Sequence, residues 1–182
     1  MKESRKTRYT QTALRDSLLE LMREKPFSRI TITELCQLAD INRTTFYAHY
    51  CDLDDMLRQV ENETIVWLEE IVVQLKDKVG SNEMREVLEG VFTRIAQKKE
   101  YFGTLLSEKS DVGFQKRIIY AIYEKSETAL VLSGAPAQKR RSLAAVFIVN
   151  GTMGILQQWL QSGCSYSPKE LAQLIWEFSK QY

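Results

Sequence analysis

Apolar residues return every three or four positions along most of the chain, which is the spacing of amphipathic helices. No segment shows the alternation of apolar and polar residues that marks a convincing strand. The pattern predicts helices over residues of about 10–25, 31–39, 42–50, 52–78, 82–99, 112–132, 136–162 and from 167 onward, with a short apolar piece at 101–106. We therefore expect an all-α protein.

The helices predicted at 31–39 and 42–50 are short and are joined by a tight turn. Thr31 is suited to cap the first helix, and Glu34, three residues later, is placed to complete a reciprocal capping box. Asp40 interrupts the apolar pattern and tolerates the left-handed conformation that a tight turn needs. Asn42 is a favourable cap for the second helix. This arrangement predicts a helix-turn-helix motif.

The second helix of the motif has a core side and an outward side. Phe46 and Tyr50 are four residues apart and share a face that suits the core. The other side chains include donors and acceptors of the kinds that read base edges or contact phosphates, namely Arg43, Thr44, Thr45, Tyr47 and His49. The alternative is an ordinary capped helix start with partly buried aromatic residues.

The segment from about Leu14 to Leu57 resembles the DNA-binding domain of TetR/AcrR-family transcription factors. The matching stretches are Leu21–Met22, Thr31–Leu35, Ala39–Asn42 and Thr45–Tyr50, and the Tyr-x-His-aromatic ending of the last is the most specific. The chain departs from the family pattern at Pro26 and Asp40, where relatives often have Gly. It also has Leu53 where many relatives have a phosphate-contacting Lys, so we assign no DNA contact there.

The resemblance implies an all-helical homodimer, in most relatives a repressor, that binds a palindromic operator in double-stranded DNA. We expect an N-terminal three-helix helix-turn-helix DNA-binding domain at 1–50, with a basic arm at 1–8. A C-terminal helical ligand-binding and dimerisation domain is expected at 51–182, with a connecting helix at 52–78. The residues expected to contact DNA are Lys2, Arg5, Lys6, Arg8, Thr33, Asn42, Arg43, Thr44, Thr45, Tyr47, His49 and Tyr50.

The distribution of charge along the chain agrees with DNA binding by the N-terminal part. Residues 1–50 contain nine Lys or Arg against six Asp or Glu, whereas the rest of the chain contains sixteen against eighteen. The basic end is therefore the end with the helix-turn-helix motif. The arm at 1–8 is the most basic part, and the alternative for it is an ordinary solvated tail.

The C-terminal part is expected to hold an effector, which is a small molecule or a protein. Asn150 to Leu160 resembles the branch of the family that includes dihydroxyacetone-kinase operon regulators, some of which respond to a protein partner. Candidate walls of an apolar pocket are Trp67, Phe92, Phe102, Phe114, Tyr120, Tyr123, Phe147 and Trp159. Aromatic residues of this kind also fill cores, and the pattern does not separate the two roles.

The last two predicted helices are apolar over much of their circumference, and in the family such helices form the dimer interface. The expected interface residues are Val146, Asn150, Gly151, Gly154, Trp159, Leu171, Leu174, Ile175 and Phe178. The alternative is that both helices fill the core of the monomer. A further alternative for the whole protein is a helical adaptor or co-regulator that binds a protein partner instead of DNA.

The sequence lacks the residues that several classes of function require. A single histidine, His49, and three scattered cysteines give no metal cluster, and no glycine-rich loop is present to hold a cofactor. We therefore expect neither an enzyme nor a cofactor. No apolar run is long enough to cross a membrane, the N-terminus is polar and basic, and an odd number of cysteines suits a reducing compartment, so we expect a cytoplasmic protein. Cys36 and Cys51 are expected to be small buried fillers.

Overall fold

The computed structural model describes residues 5–75, 78, 81–107, 110–111, 113–125 and 136–180 of the 182-residue chain. Within these ranges the chain forms nine α-helices and no strand, which confirms the all-α prediction. A single 3-10 turn, Phe27–Arg29, lies between the first two helices. The helices are α1 Arg5–Glu24, α2 Ile32–Ala39, α3 Arg43–Tyr47, α4 Leu53–Leu75, α5 Asn82–Gln97, α6 Lys99–Leu105, α7 Phe114–Lys125, α8 Pro136–Gln161 and α9 Pro168–Ser179.

The main difference from the predicted elements is the start of α1. The helix begins at Arg5, not near Thr10, so the part of the basic arm from residue 5 onward is helical. Thr10 is buried, and residues 5–8 contain no apolar side chain from which periodicity could predict a helix. Conversely, α3 ends at Tyr47, three residues before the predicted end.

One hydrophobic core joins α1, α2 and α3 to the helices that follow. It contains Leu14 and Leu18 of α1, Leu35 of α2 and Phe46 of α3, all fully buried. The same cluster continues without a break into later helices through Met56, Leu57, Val60, Leu105, Leu106, Phe114, Ile118 and Met153. The expected boundary at residue 50 stays a prediction, but the packed interior does not end there.

A second core lies between α5, α8 and α9. Phe92 and Trp159 meet edge to face, with ring centroids 5.9 Å apart, and Leu171 and Ile175 of α9 complete the interior. The start of α9 is fixed by Ser167, whose side chain accepts the Glu170 amide while the Glu170 carboxylate accepts the Ser167 amide. Among the described residues, no helix has the length and apolar character that a membrane crossing requires.

Candidate nucleic-acid interface

The N-terminus of α2 is capped by Thr31, whose hydroxyl accepts the amide of Glu34 at 3.3 Å. The reciprocal half of the predicted capping box is absent. Instead both carboxylate oxygens of Glu34 accept from the Lys25 ammonium at 2.5 Å. A charge-assisted bond to an ammonium is stronger than a bond to a neutral amide, which explains why the carboxylate turns away. The ion pair also links the end of α1 to the start of α2.

The turn between α2 and α3 has the predicted geometry. Asp40 adopts φ 53° and ψ 42°, the left-handed conformation, and its amide donates to the carbonyls of Cys36 and Gln37 at the end of α2. The side chain of Asn42 then accepts the amide of Thr44 at 2.8 Å and so caps α3. Both predicted roles are confirmed, and together they fix the direction in which α3 leaves the turn.

The inner side of α3 is anchored by two aromatic rings. Phe46 is fully buried, and its ring centroid lies 5.6 Å from that of Tyr50, which is itself only 4% exposed. Both therefore belong to the core, as their spacing predicted. For Tyr50 this position disfavours the phosphate contact also suggested from the sequence, because its side chain has almost no surface left. We treat it as a support for α3.

The outer side of α3 carries the remaining predicted residues. Asn42, Arg43 and Thr44 are exposed, and Tyr47 is 51% exposed with its ring edge-on to Phe46 at 5.4 Å. Thr45 and His49 are half-buried beside them, and Thr33 is exposed on α2. We call Asn42, Arg43, Thr44 and Tyr47 the reading face. It presents a guanidinium, an amide and two hydroxyl groups to solvent within little more than one helical turn.

The basic residues before α3 are only partly described. Arg8 is exposed on the first turns of α1, Lys2 lies outside the described residues, and so do the side chains of Arg5 and Lys6. Tyr9, the residue after Arg8, is 74% exposed, and the sequence analysis did not assign it a role. Its position outside the buried stripe of α1 was the available signal.

The eight predicted pocket residues lie in different surroundings, and the pocket itself stays a prediction. Phe92, Phe102, Phe114 and Trp159 are core residues, whereas Tyr120 is exposed. Trp67 and Tyr123 are half-buried, and Phe147 is exposed. None of the eight lines either of two surface cavities, of about 520 and 490 Å³, that are formed by described residues. Aromatic residues are good core fillers, and that alternative fits the four buried ones.

The predicted interface residues divide into two groups. Trp159, Leu171 and Ile175 lie in the second core, as in the monomer-core alternative, and are not on a surface offered to another subunit. Asn150, Gly151, Gly154, Leu174 and Phe178 are exposed, and Val146 is half-buried. The structure also exposes Leu143 and Phe147 on α8, which the sequence analysis did not assign to the interface.

The cysteines near the helix-turn-helix motif differ in their exposure. Cys36 is buried, as expected, and burial raises the pKa of its thiol. Cys51 is exposed, which corrects the expectation that it is a buried filler, because it lies in the bend between α3 and α4. Among the residues that the structure describes, no group of three His, Cys, Asp or Glu side chains is arranged to hold a metal ion.

Comparison with known proteins supports the same interpretation. Residues 82–181 match the family model TetR_C_8, a transcriptional regulator C-terminal region. The chain is 28% identical over 104 residues to an uncharacterized HTH-type transcriptional regulator of Haemophilus influenzae, a match that covers 56% of this chain and 51% of that protein. It is 18% identical over 171 residues to the HTH-type transcriptional regulator YxbF of Bacillus subtilis, covering 92% of this chain and 44% of YxbF. The chain thus spans about half the length of the curated relatives it matches.

Two solved structures share the fold. A TetR transcriptional regulator from Streptococcus agalactiae superposes with a TM-score of 0.63 at 19% identity, covering 93% of each chain. The dihydroxyacetone kinase operon activator DhaS superposes with a TM-score of 0.56 at 16% identity, covering 91% of each chain. At these identities the likeness establishes the arrangement of helices alone.

Proposed function

We propose, from the premise that this chain belongs to the TetR family of transcriptional regulators, that it binds a palindromic DNA operator as a homodimer and represses transcription. Family membership rests on the match over residues 82–181, which is more than half of the chain. The observation that carries the DNA-binding proposal is the contrast within α3. Phe46 is sealed in the core while the reading face next to it stays exposed.

The reading face has the chemistry that sequence-specific recognition needs. The Arg43 guanidinium is suited to the O6 and N7 acceptors of guanine, and the Thr44 hydroxyl and methyl groups are suited to base edges or backbone. Asn42 and Tyr47 add donors at either end of the exposed turn. The half-buried Thr45 and His49, together with Thr33 and Arg8, are proposed to contact the sugar-phosphate backbone and to set the register of the helix on the duplex.

We expect Arg43→Ala to reduce the preference for operator over unrelated DNA by about 1 to 3 kcal/mol, or roughly fivefold to 150-fold. The reason is that a bidentate contact to a guanine edge is lost while phosphate contacts remain. The operator is first obtained by selecting bound duplexes from a random library. Fluorescence anisotropy then compares the selected and a scrambled duplex at several salt concentrations.

The matched control is Arg85→Ala, which removes the same charge from α5, outside the helix-turn-helix motif. It should leave both affinities nearly unchanged. Equal losses on operator and scrambled duplexes for Arg43→Ala would contradict base reading and would leave that residue a phosphate contact. If wild-type protein binds no duplex at low salt, the adaptor alternative replaces the DNA-binding proposal.

The homodimer is proposed to form through α8 and α9. Leu143, Phe147, Leu174 and Phe178 expose apolar surface on these two helices. Gly151 and Gly154 lie between them in sequence, and apart from their chain neighbours and the nearby backbone of α8 no described atom lies within 4 Å of where their Cβ atoms would sit. Two copies of α8 are therefore able to approach closely there. Large exposed apolar surfaces of this kind are typical of obligate interfaces.

We expect Phe178→Glu to convert the dimer into monomers at micromolar concentration, because each interface would then bury two unpaired carboxylates related by the twofold axis. Sedimentation velocity measures the change. Val73→Glu is the matched control, since Val73 is an exposed apolar residue of α4 and not of α8 or α9. A wild-type monomer, or a dimer that Val73→Glu disrupts equally, would contradict this interface.

The sign of regulation and the effector complete the proposal. One solved neighbour is an operon activator, so a promoter-reporter assay with and without the protein tests repression against activation. We propose that the protein is not an enzyme, that it acts in the cytoplasm where its DNA target lies, and that an effector bound to the helices after α3 changes its affinity for DNA.

A further inference from the structure

A cavity of about 490 Å³ lies where the helix-turn-helix motif meets the later helices. On one side it is lined by Phe27 of the turn after α1 and by Leu57 and Glu61 of α4. On the other side it is lined by Ser110 and by Arg117 of α7. Its volume is within the range of small-molecule sites, and its walls come from three separate parts of the chain. A molecule bound there would contact the elements that carry α3 as well as α7.

The floor of the cavity contains a buried carboxylate whose bonding is incomplete. The Glu61 side chain is 1% exposed, and its Oε2 atom accepts from Nη2 of Arg117. Its Oε1 atom is buried and has no hydrogen-bond partner among the described residues. The hydroxyl of Ser110 is likewise buried and has no hydrogen-bond partner among the described residues. A buried polar atom without a partner is costly, so two of them in the wall of one cavity point to a ligand that supplies hydrogen bonds.

Arg117 does not supply the hydrogen bonds that these two atoms lack, because its guanidinium already donates to two other carboxylate oxygens. Nη1 donates to Oδ2 of Asp111 at 2.8 Å, and Nη2 donates to Glu61. Asp111 in turn accepts the amide of Gly113 at 2.8 Å. The cluster is therefore held in place by its own bonds, and among the polar side-chain atoms of the lining residues Oε1 of Glu61 and the Ser110 hydroxyl are the buried ones with no hydrogen-bond partner in the described chain. The site is therefore pre-organised.

Charge decides which ligand fits. The cavity is lined by the carboxyl groups of Asp54, Glu61 and Asp111 against the guanidinium groups of Arg58 and Arg117, which leaves one negative charge in excess when Glu61 is ionised, as it is at pH 8. An acceptor oxygen in a negative cavity favours a cation that donates hydrogen bonds. A metal ion is disfavoured, since no three His, Cys, Asp or Glu side chains of the described residues converge on one point. Phe27 and Leu57 add an apolar wall suited to an organic substituent.

We propose that this cavity binds a small organic cation, a primary ammonium ion with an apolar substituent, whose N–H groups donate to Glu61 Oε1 and to the Ser110 hydroxyl. The apolar part packs against Phe27 and Leu57. Because Glu61 lies on α4 and its partner Arg117 lies on α7, occupancy changes the junction between these helices. The regulatory consequence, a change in DNA affinity, rests on the proposed function, whereas the binding site itself does not.

The test is isothermal titration calorimetry of the full chain with phenethylammonium chloride. The neutral analogue 2-phenylethanol and calcium chloride are the comparison ligands. Wild-type protein should bind the ammonium ion at least about tenfold more tightly than the alcohol, because a hydrogen bond to a charged group is lost with the latter. Glu61→Gln should weaken binding of the ammonium ion by about tenfold or more, and Ser110→Ala should weaken it by a smaller factor.

Glu70→Gln is the matched control, because Glu70 is an exposed carboxylate on the same helix and does not line the cavity. It should leave the affinity unchanged, and thermal unfolding followed by circular dichroism verifies that each variant is folded. Equal affinity for the alcohol, full affinity in Glu61→Gln, or binding of calcium without binding of the ammonium ion would each overturn the site.

Anisotropy with the selected operator, with and without saturating phenethylammonium, separates this inference from the proposed function. If the ammonium ion gives heat of binding and also weakens operator binding, both the ligand site and the DNA-binding function are supported. Heat of binding without any duplex binding leaves the site standing and removes the DNA-binding function. If the operator binds normally but the ammonium ion gives no heat of binding, the ligand site is contradicted and the DNA-binding function is still supported.

Discussion

Replacing Phe46 with alanine is expected to lower the free energy of unfolding by about 3 to 5 kcal/mol, the range found when a large buried aromatic side chain is removed. Phe46 is fully buried and is the residue within α3 that belongs to the first core, where Tyr50 packs against it. The helix has only five residues, so it has no independent stability without this anchor. We expect loss of operator binding together with loss of stability.

Urea unfolding monitored by circular dichroism measures the stability, and anisotropy measures operator binding on the same preparations. Tyr47→Ala is the matched control, because it truncates the neighbouring aromatic residue that is half exposed. It should change stability by less than about 1 kcal/mol while still weakening operator binding. A Phe46→Ala protein that unfolds at the wild-type urea concentration would show that α3 is held by contacts other than this ring.

Replacing Arg117 with alanine is expected to destabilise the protein by about 1 to 2 kcal/mol more at pH 8 than at pH 5, because it leaves Glu61 buried without its cation and protonation of Glu61 limits the loss. The effect depends on pH in a defined direction. Burial raises the pKa of Glu61 from the ordinary 4.5 to about 7, with Asp111 adding to the rise and the guanidinium groups of Arg117 and Arg58 opposing it. Without Arg117 the pKa of Glu61 rises further.

The sign follows from the raised pKa. The folded protein takes up the Glu61 proton more readily than the unfolded chain, so this group favours folding below about pH 4.5 and loses that contribution as the pH rises toward 7. At pH 5 Glu61 is neutral with or without Arg117, and the penalty for Arg117→Ala should be much smaller than at pH 8. Urea unfolding at the two pH values measures the difference.

The double variant Glu61→Gln with Arg117→Ala provides the control for this prediction. Its stability relative to Glu61→Gln alone should not change between pH 5 and pH 8, because the carboxyl group whose pKa lies in this interval has been removed and the pKa of Asp111 is lowered below its ordinary value by the Gly113 amide and Arg117. A penalty for Arg117→Ala that is equal at both pH values in the presence of Glu61 would show that the arginine acts by packing and through Asp111, and not through the buried carboxylate.

Features that depend on neighbouring residues were predictable from the sequence. Thr31 and Asn42 cap their helices with side chains that accept amides three and two residues away, and Asp40 tolerates the left-handed conformation in which its own amide donates to the carbonyls of Cys36 and Gln37. The division of α3 into a buried Phe46 and an exposed Tyr47 follows from helical spacing. The Lys25 ion pair with Glu34 was missed, because a stronger partner outside the helix displaced the local one.

Features that depend on distant residues were not predictable in this way. Glu61 and Arg117 are 56 residues apart, and each alone resembles a surface charge in a helical pattern. The aromatic residues of the C-terminal part illustrate the same limit. Phe92 and Tyr120 each lie in an amphipathic helix, yet one is buried in a core and the other is exposed, because packing between helices decides their environment.

The unbroken interior from Leu14 to Met153 has a practical consequence for hybrid sensors. A common design strategy exchanges the operator-specific part of one regulator for that of another by cutting the gene after the recognition helix. In this protein such a cut would leave Leu105, Phe114 and Ile118 facing a foreign surface. A working graft would have to transfer the facing positions of α6 and α7 together with the first three helices.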